Sequence, residues 1–410
     1  MLNYINKRLF IERTSLGSLA KKFGTPLFVY SKNKLIENFI SFDNAFSFVP
    51  HITCYATKAN SNNAILKVLA SLGAGADITS GGELFRSLKA GIPSKKIIYA
   101  GIGKTAEEIS YALKHNILMF NVESVEELVQ INNVARKLKK KASIAFRINP
   151  NVDPYTHHYI TTGKKGGKFG VPYTEALNHY KIAKKMSNIH ISGIHCHIGS
   201  QITYIDSFHM AAVRLKNLVD KLSSIGINLE YINMGGGLGI DYGNNKASNP
   251  VSLSQSILPV FRNFKGKFIF EPGRFIVGNA GIFLVKVIYR KKSGGKNFLI
   301  VDGAMNDLLR PTLYDAYHEI LPETQSNRGK VKLDIVGPIC ESGDFLGKNR
   351  TLPWLDQNDL LAVTCTGAYG SAMSSQYNSR LRAPEIMVEG NKAKIIRKRE
   401  THSDLVNKEI

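Results

Sequence analysis

The chain has 410 residues, 43% of them apolar and 21% charged, with a formal net charge of +22. That length predicts two domains, and the composition is that of a globular protein with a substantial core. No run approaches the roughly 18 uninterrupted apolar residues that a membrane-spanning helix needs. Met1–Leu16 carries both charge signs and lacks the apolar core of a signal peptide, so a cytoplasmic location with no membrane partner is expected. Four scattered cysteines (Cys54, Cys196, Cys340, Cys365) form no CxxC pair, which argues against a disulfide framework and a thiolate zinc site. The basic residues are spread along the chain, in stretches such as Ala135–Lys141 and Lys181–Lys185. They read as a solvated surface rather than a nucleic-acid face, so no nucleic-acid partner is expected. Such a surface could still attract anionic metabolites.

Between about residues 50 and 275, short β-rich runs alternate with helical patterns. Strands are predicted at His51–Tyr55, Gly75–Thr79, Lys96–Ala100, Leu118–Val122, Ser143–Asn149, His190–His197, Leu229–Met234 and Lys267–Glu271. Helices are predicted between them, at Asn63–Leu72, Gly82–Ala90, Ala106–Lys114, Ser124–Lys139, Ser207–Ile225 and Ser252–Phe264. Each repeats apolar residues at three- and four-residue spacing; Ile65, Leu66, Leu69 and Leu72 trace one such stripe. Eight strand–helix units in this length are the count that closes a (β/α)8 TIM-type barrel, and a doubly wound open sheet is the rival. After Gly273 the texture changes. Arg274–Tyr289, Phe298–Ala304, Lys332–Val336, Leu360–Cys365 and Lys392–Arg397 read as β-rich segments, punctuated by Gly278, Gly281 and the turn cluster Lys291–Lys296. The expected organisation is an N-terminal segment, 1–26, packing with a β domain, then a barrel over 27–275, then a mainly β domain over 276–410.

The polar residues separate barrel from open sheet. Lys58 follows the first predicted strand and Asp77 lies on the second; Arg147 lies on the fifth and His197 on the sixth. Gly235, Gly236 and Gly237 follow the seventh, and Glu271 to Arg274 follow the eighth. A closed barrel gathers the carboxyl ends of its strands on one rim, where barrel enzymes carry their sites. Each motif also has a plainer reading. A lysine in a desolvated site can lose its proton and attack a carbonyl, yet Lys58 alone is one lysine among many. Gly235-Gly236-Gly237-Leu238-Gly239 offers backbone amides suited to a phosphate, and a glycine-rich turn serves tight packing equally well. Glu271 in Glu271-Pro272-Gly273-Arg274 could bond a protonated pyridine nitrogen and make that ring an electron sink, or could simply cap a turn. His195 and His197 share a strand face. No third ligand follows at a suitable spacing, so no metal is expected, and an imidazole stacked on a planar cofactor fits better. Gly101-Ile102-Gly103-Lys104-Thr105 is not a phosphate-binding P-loop, because Ile98 occupies the position of its first glycine.

Together these pieces resemble the fold-type III pyridoxal-phosphate decarboxylases, the group with an alanine-racemase-like barrel, over about residues 25 to 385. Two stretches resemble the diaminopimelate decarboxylase branch of that group. One is Ile160-Thr161-Thr162-Gly163 followed by Lys168-Phe169-Gly170, with an unusually basic Lys164–Gly167 insert. The other is Gly337-Pro338-Ile339-Cys340-Glu341-Ser342-Gly343-Asp344, where the ornithine branch typically carries aspartate after the cysteine. The resemblance implies the cofactor pyridoxal 5'-phosphate, bound by Lys58 as the Schiff-base lysine, His197 on the ring and Glu271 at the ring nitrogen. It implies a phosphate cradle of Ser200, Gly235, Gly236, Gly237, Gly273 and Arg274, with Asp77 and Tyr369 also at the cofactor. Arg274, Arg310 and Tyr314 resemble residues that hold the retained carboxylate of an amino-acid substrate. Glu341 resembles the acceptor of its distal ammonium, Cys340 the proton donor, and Tyr369 a residue near both cofactor and substrate. The implied reaction is decarboxylation of meso-2,6-diaminopimelate to L-lysine, in a homodimer whose sites are shared between subunits. The ornithine, arginine and carboxynorspermidine decarboxylases of the same fold are the alternatives.

Overall fold

A computed structural model describes residues 1–153, 167–243 and 247–410. The chain divides into two compact units, one of residues 39–240 and 246–275, the other of residues 1–38, 241–245 and 276–410.

The first unit is a closed barrel of eight parallel strands. They are β1 (His51–Ala56), β2 (Gly75–Ile78), β3 (Ile97–Tyr99), β4 (Met119–Val122), β5 (Ala142–Asn149), β6 (Ile189–Cys196), β7 (Tyr231–Asn233) and β8 (Lys267–Phe270). Each pairs with the next, β8 pairs with β1 through Phe270 and Thr53, and β4 meets β5 through Val122 and Phe146. Parallel neighbours require a crossover, and the helices supply it. Several of their starts are fixed by capping side chains. Ser80 accepts from Glu83 N–H ahead of Gly81–Lys89, Thr105 and Glu108 form a capping box on Ala106–Lys114, and Ser124 accepts from Glu127 N–H ahead of Val125–Lys137. Cys54, Ile98, Met119, Ala145 and Ile269, one each from β1, β3, β4, β5 and β8, pack together as an apolar layer. Gly75 lies close by: a Cβ there would sit 2.8 Å from Cys54 Sγ and 2.3 Å from the Lys96 carbonyl.

All eight predicted strands form, within a few residues of the expected ends. The helix Ala176–Lys184 was not among the predicted ones, and no side chain caps its N-terminus, so it carries no start signal. The stretch Ile160–Gly163 and most of the basic insert lie outside the described residues.

The second unit is built on β9 (Gly281–Ser293), whose 13 residues pair with β10 (Lys296–Val301) at one end and with Leu27–Ser31 at the other. Around it lie β11 (Ile320–Pro322), β12 (Lys330–Val336), β13 (Phe345–Pro353), β14 (Leu360–Val363), β15 (Glu385–Glu389) and β16 (Lys392–Arg397). The order is β13-β12-β10-β9, then Leu27–Ser31, β15 and β16, with β14 also on β9 and β11 on β14. Gly294 and Gly295, both at positive φ, turn the chain from β9 into β10, which is the backbone that a two-residue hairpin demands. One expectation needs correction. Arg274–Tyr289 is not one β segment: Arg274–Val277 forms a helical turn, Gly278–Ala280 a 3₁₀ turn, and the strand starts at Gly281. A Cβ at Gly281 would lie 2.5 Å from Gly367 Cα, so glycine permits the close backbone approach there. The core of this unit gathers Leu9, Ile11, Leu16, Leu19, Leu27, Val29, Ile282, Leu284, Ala362, Ile386 and Val388, which ties the N-terminal residues to the C-terminal sheet. No described helix is long and apolar enough to cross a membrane.

The apolar layer of the barrel should be sensitive to lost volume. Ile269→Ala should lower stability by ~2–5 kcal/mol and Ile269→Val by ~0.5–1.5 kcal/mol, measured as shifts in the urea midpoint followed by circular dichroism.

Candidate active site

The carboxyl ends of the barrel strands carry one connected polar cluster. Lys58 sits in the 3₁₀ turn Thr57–Ala59 directly after β1. Thr57 Oγ1 fixes that turn, lying 2.7 Å from the Asp77 carbonyl and 3.0 Å from Glu83 Oε2, either of which can accept its one hydrogen. Lys58 Nζ is paired with Asp77 Oδ2, and the Asp77 carboxyl is fully buried on β2. Gly273 packs on the same turn: a Cβ there would stand 3.0 Å from Ala56 Cβ and 3.1 Å from Ala59 Cβ.

Glu271, next to the end of β8, is buried and met from three strands. Its Oε1 accepts from Asn233 Nδ2 at 2.7 Å and Asn121 Nδ2 at 3.2 Å, while His195 Nε2 stands 3.3 Å from Oε2. Burial works to raise this carboxyl, but the attraction of His195, then of Lys58, outweighs it and holds Glu271 below the usual carboxylate range. Asp77 goes the other way. Burial, then repulsion from Glu271, push it up to about 7 despite Lys58.

His197 follows β6, and its Nδ1 accepts from the Gly236 N–H at 3.2 Å, which leaves the ring hydrogen on Nε2. Burial, then the charges of Arg147 and Lys58, hold this imidazole well below its ordinary value, so it is a neutral flat ring. Arg147 in turn is pinned by Glu123, whose Oε1 lies 3.1 Å from Arg147 Nη1, and its guanidinium lies over the Phe169 ring. Ser200 Oγ accepts from Arg274 Nη2 at 3.0 Å. The turn Gly235–Gly237 is packed to the limit. Cβ atoms would meet the Cys196 carbonyl at 2.4 Å, the Glu271 carbonyl at 2.1 Å and the Gly199 carbonyl at 2.3 Å, and Gly235 and Gly237 have positive φ. Close packing therefore requires glycine in this loop, and two of its amides are already engaged, Gly235 N–H with Asn233 Oδ1 at 2.9 Å and Gly236 N–H with His197 Nδ1.

This donor set fits pyridoxal phosphate. It has an amine for an aldehyde, an ionised carboxylate for a ring nitrogen, and a neutral imidazole for a ring face. A hydroxyl, a guanidinium and a glycine turn answer a dianionic phosphate. The barrel thus brings together Lys58, Asp77, His197, Ser200, Gly235, Gly236, Gly237, Glu271, Gly273 and Arg274. Asn121, Asn233 and His195 hold Glu271 and were not among the predicted cofactor residues. A signal for the asparagines existed: each is a polar residue near the carboxyl end of an apolar strand, in Met119-Phe120-Asn121-Val122 and Tyr231-Ile232-Asn233. Among the described residues no three His, Cys, Asp or Glu side chains gather as metal ligands.

The other predicted residues belong to the second unit. Arg310 opens the helical turn Arg310–Tyr314 and is buried, with its guanidinium over Tyr242 and its Nη1 2.8 Å from His318 Nε2. Tyr314 ends that turn, half-buried. Cys340 and Glu341 are exposed on a loop that Asp344 ties down by accepting from the Ile339 and Met305 N–H groups, each at 2.7 Å. Cys340 N–H donates to Asn378 Oδ1 at 2.9 Å, and Tyr377 Oη bonds Glu341 Oε1. Tyr369 lies after β14 with φ +58°.

A family model described as "Pyridoxal-dependent decarboxylase, pyridoxal binding domain" matches residues 32–278, more than half of the chain. The diaminopimelate decarboxylase of Aquifex aeolicus is 50% identical over 99% of this chain and 96% of its own length. Among solved structures, the Helicobacter pylori diaminopimelate decarboxylase complexed with L-lysine superposes with a TM-score of 0.93 at 43% identity, covering 95% of this chain and 98% of that one. The M. jannaschii diaminopimelate decarboxylase in co-complex with L-lysine superposes with a TM-score of 0.95 at 39% identity, covering 100% and 98%. A match of this extent, on a barrel that carries the amine, acid and imidazole described above, places the chain in the family of pyridoxal-dependent decarboxylases, among the diaminopimelate decarboxylases.

Proposed function

We propose that this protein decarboxylates meso-2,6-diaminopimelate to L-lysine and carbon dioxide. The carrying observation is the buried, ionised Glu271 in the same barrel rim as the Lys58 amine. Bound pyridoxal phosphate would supply an electron sink for the pair left on carbon when carboxylate departs. Lys58 is the amine that holds the cofactor aldehyde, and Asp77 stabilises its ammonium. Glu271 keeps a proton on the ring nitrogen, because an ionised carboxylate favours the protonated partner. His197 packs as a neutral ring, and Ser200, the glycine turn Gly235–Gly237 and the Gly273–Arg274 amides form the phosphate cradle.

For the substrate, Arg274, Arg310 and Tyr314 take the carboxylate that is kept, since a guanidinium fork matches a carboxylate bidentately. Glu341 takes the distal ammonium, Cys340 delivers the proton to the carbon that lost carboxylate, and Tyr369 serves cofactor and substrate together. These assignments rest on the resemblance of the motifs around Arg310, Cys340 and Tyr369. The same resemblance supports a cytoplasmic homodimer in which Cys340 and Glu341 act in the partner's site.

The function is tested by carbon dioxide release from diaminopimelate, ornithine, arginine and lysine by the cofactor-loaded protein. Diaminopimelate should be preferred by roughly 10⁴-fold, because a site built for a second carboxylate rejects substrates lacking it. A comparable rate on ornithine would overturn the assignment. Borohydride should fix the visible chromophore to Lys58, and Lys58→Ala should lose both label and turnover.

Glu271→Gln should bind the cofactor but lower kcat by about 10²–10³-fold, as expected when one preorganised electrostatic partner is removed. Retention of more than half the parent kcat would exclude the ring-nitrogen role.

Shared sites make a further outcome measurable. Lys58→Ala and Cys340→Ala proteins, inactive alone, should recover up to about a quarter of parental activity after subunit exchange, since half the dimers are mixed and each carries one intact site. No recovery in dimers shown to have exchanged would place both residues in one subunit's site.

A further inference from the structure

Arg310 is held in an unusual way for a residue assigned to bind an anion. His318, fully buried just before β11, places its Nε2 2.8 Å from Arg310 Nη1 and its Nδ1 2.7 Å from the Thr364 carbonyl. A carbonyl only accepts, so Nδ1 carries the ring hydrogen, and a guanidinium only donates, so Nε2 presents its lone pair. Both distances are those of good hydrogen bonds. The two partners therefore fix one neutral tautomer: a second ring hydrogen would point at the Arg310 N–H.

The ring itself is fixed. Tyr242 meets it edge-on with centroids 5.0 Å apart, and the same Tyr242 ring lies 4.7 Å beneath the Arg310 guanidinium. Arg350 Nη2 donates to the His318 carbonyl at 3.0 Å, and Thr364 N–H donates to the Glu319 carbonyl at 2.9 Å. Thus the strand β14 end, through Thr364, sets the imidazole, and the imidazole sets Arg310.

We infer that His318 is a positioning residue for substrate: a tautomer-locked, uncharged acceptor that aims the Arg310 guanidinium at the carboxylate that the reaction retains. An acidic side chain in the place of His318 would orient Arg310 as well, but would also pair with its charge and compete with the substrate. A neutral lone pair orients without neutralising. This inference rests on the reading of Arg310 as a carboxylate-binding residue.

The test compares His318→Asn with His318→Gln in the cofactor-loaded enzyme. Asparagine can keep the bond to the Thr364 carbonyl but cannot reach Arg310, whereas glutamine can present an oxygen close to the lost Nε2. His318→Asn should raise KM for diaminopimelate and Ki for L-lysine about tenfold, the size expected for one hydrogen bond to a charged group, with kcat within about threefold of the parent. His318→Gln should recover most of the loss. Inhibition by 1,5-diaminopentane, which lacks the carboxylate, should be the same in all three proteins. If His318→Asn does not fold, His318→Phe keeps the ring volume without the lone pair and carries the same expectation. Equal KM in the Asn (or Phe), Gln and parent proteins, or weakening of 1,5-diaminopentane in parallel with L-lysine, would overturn the positioning role. Arg310→Met separates the two claims: an unchanged KM there removes Arg310 from substrate binding altogether, while a raised KM beside an insensitive His318 removes only the inference drawn here.

Discussion

Two carboxylates buried in one barrel repel each other, and they settle into different protonation only because their partners differ. Glu271 receives Asn233 and Asn121 on one oxygen and faces His195 with the other. Asp77 has Lys58 on one oxygen, while its Oδ1 is buried without a hydrogen-bond partner. The better-supplied carboxyl stays ionised, and the repulsion it exerts helps push the other up to about 7. Such a split between neighbouring titratable groups is how one site holds an acid and a base at the same pH. The proposed chemistry depends on it: an ionised Glu271 can hold a proton on a ring nitrogen, while Asp77, raised beside it, pairs with Lys58.

The same comparison shows the direction in which Asp77 affects stability. Its folded value lies above that of an exposed aspartate, so its contribution is complete at low pH and is lost as pH rises through about 7. Glu271 behaves oppositely, with its contribution present above the ordinary carboxylate range and lost only well below it. Removing either partner set would therefore move stability with pH in opposite senses.

How much of this was legible beforehand follows from which forces are local. Strands β1 to β8 could be read because they are apolar runs between amphipathic helices, and the barrel because Lys58, Asp77, His197, Gly235–Gly237 and Glu271 recur near strand ends. The contacts among them were not legible. That Asn121 on β4 and Asn233 on β7 converge on Glu271 beside β8 is a product of closure, and nothing local to either residue specifies it. The pairing of Leu27–Ser31 with both β9 and β15 joins residues some 250 to 360 positions apart, which periodicity does not report. Arg274–Val277 reads as a strand because Phe275, Ile276 and Val277 suit one, while the glycines at 278 and 281 let the chain turn before the strand begins.

Among the described residues, arginines differ in the acceptors that orient them. Arg147 meets Glu123, Arg328 meets Asp356, and Arg397 meets Glu385, so each of these guanidinium groups has a carboxylate at hand. The orienting bonds described for Arg274 and Arg310 end instead on neutral acceptors, the Ser200 hydroxyl and the His318 imidazole. Both of these arginines are buried, and burial makes an oriented charge more effective toward an incoming anion, because less water competes for it. A carboxylate acceptor stabilises the folded chain by satisfying the charge within it. A neutral acceptor fixes the direction of the fork without adding a negative charge of its own. Arg86, Arg214, Arg350 and Arg382 also donate to neutral oxygens, but none of them is buried; Arg274 and Arg310 combine burial with a side-chain acceptor that fixes the direction of the fork, which suits an anchor for an anionic group.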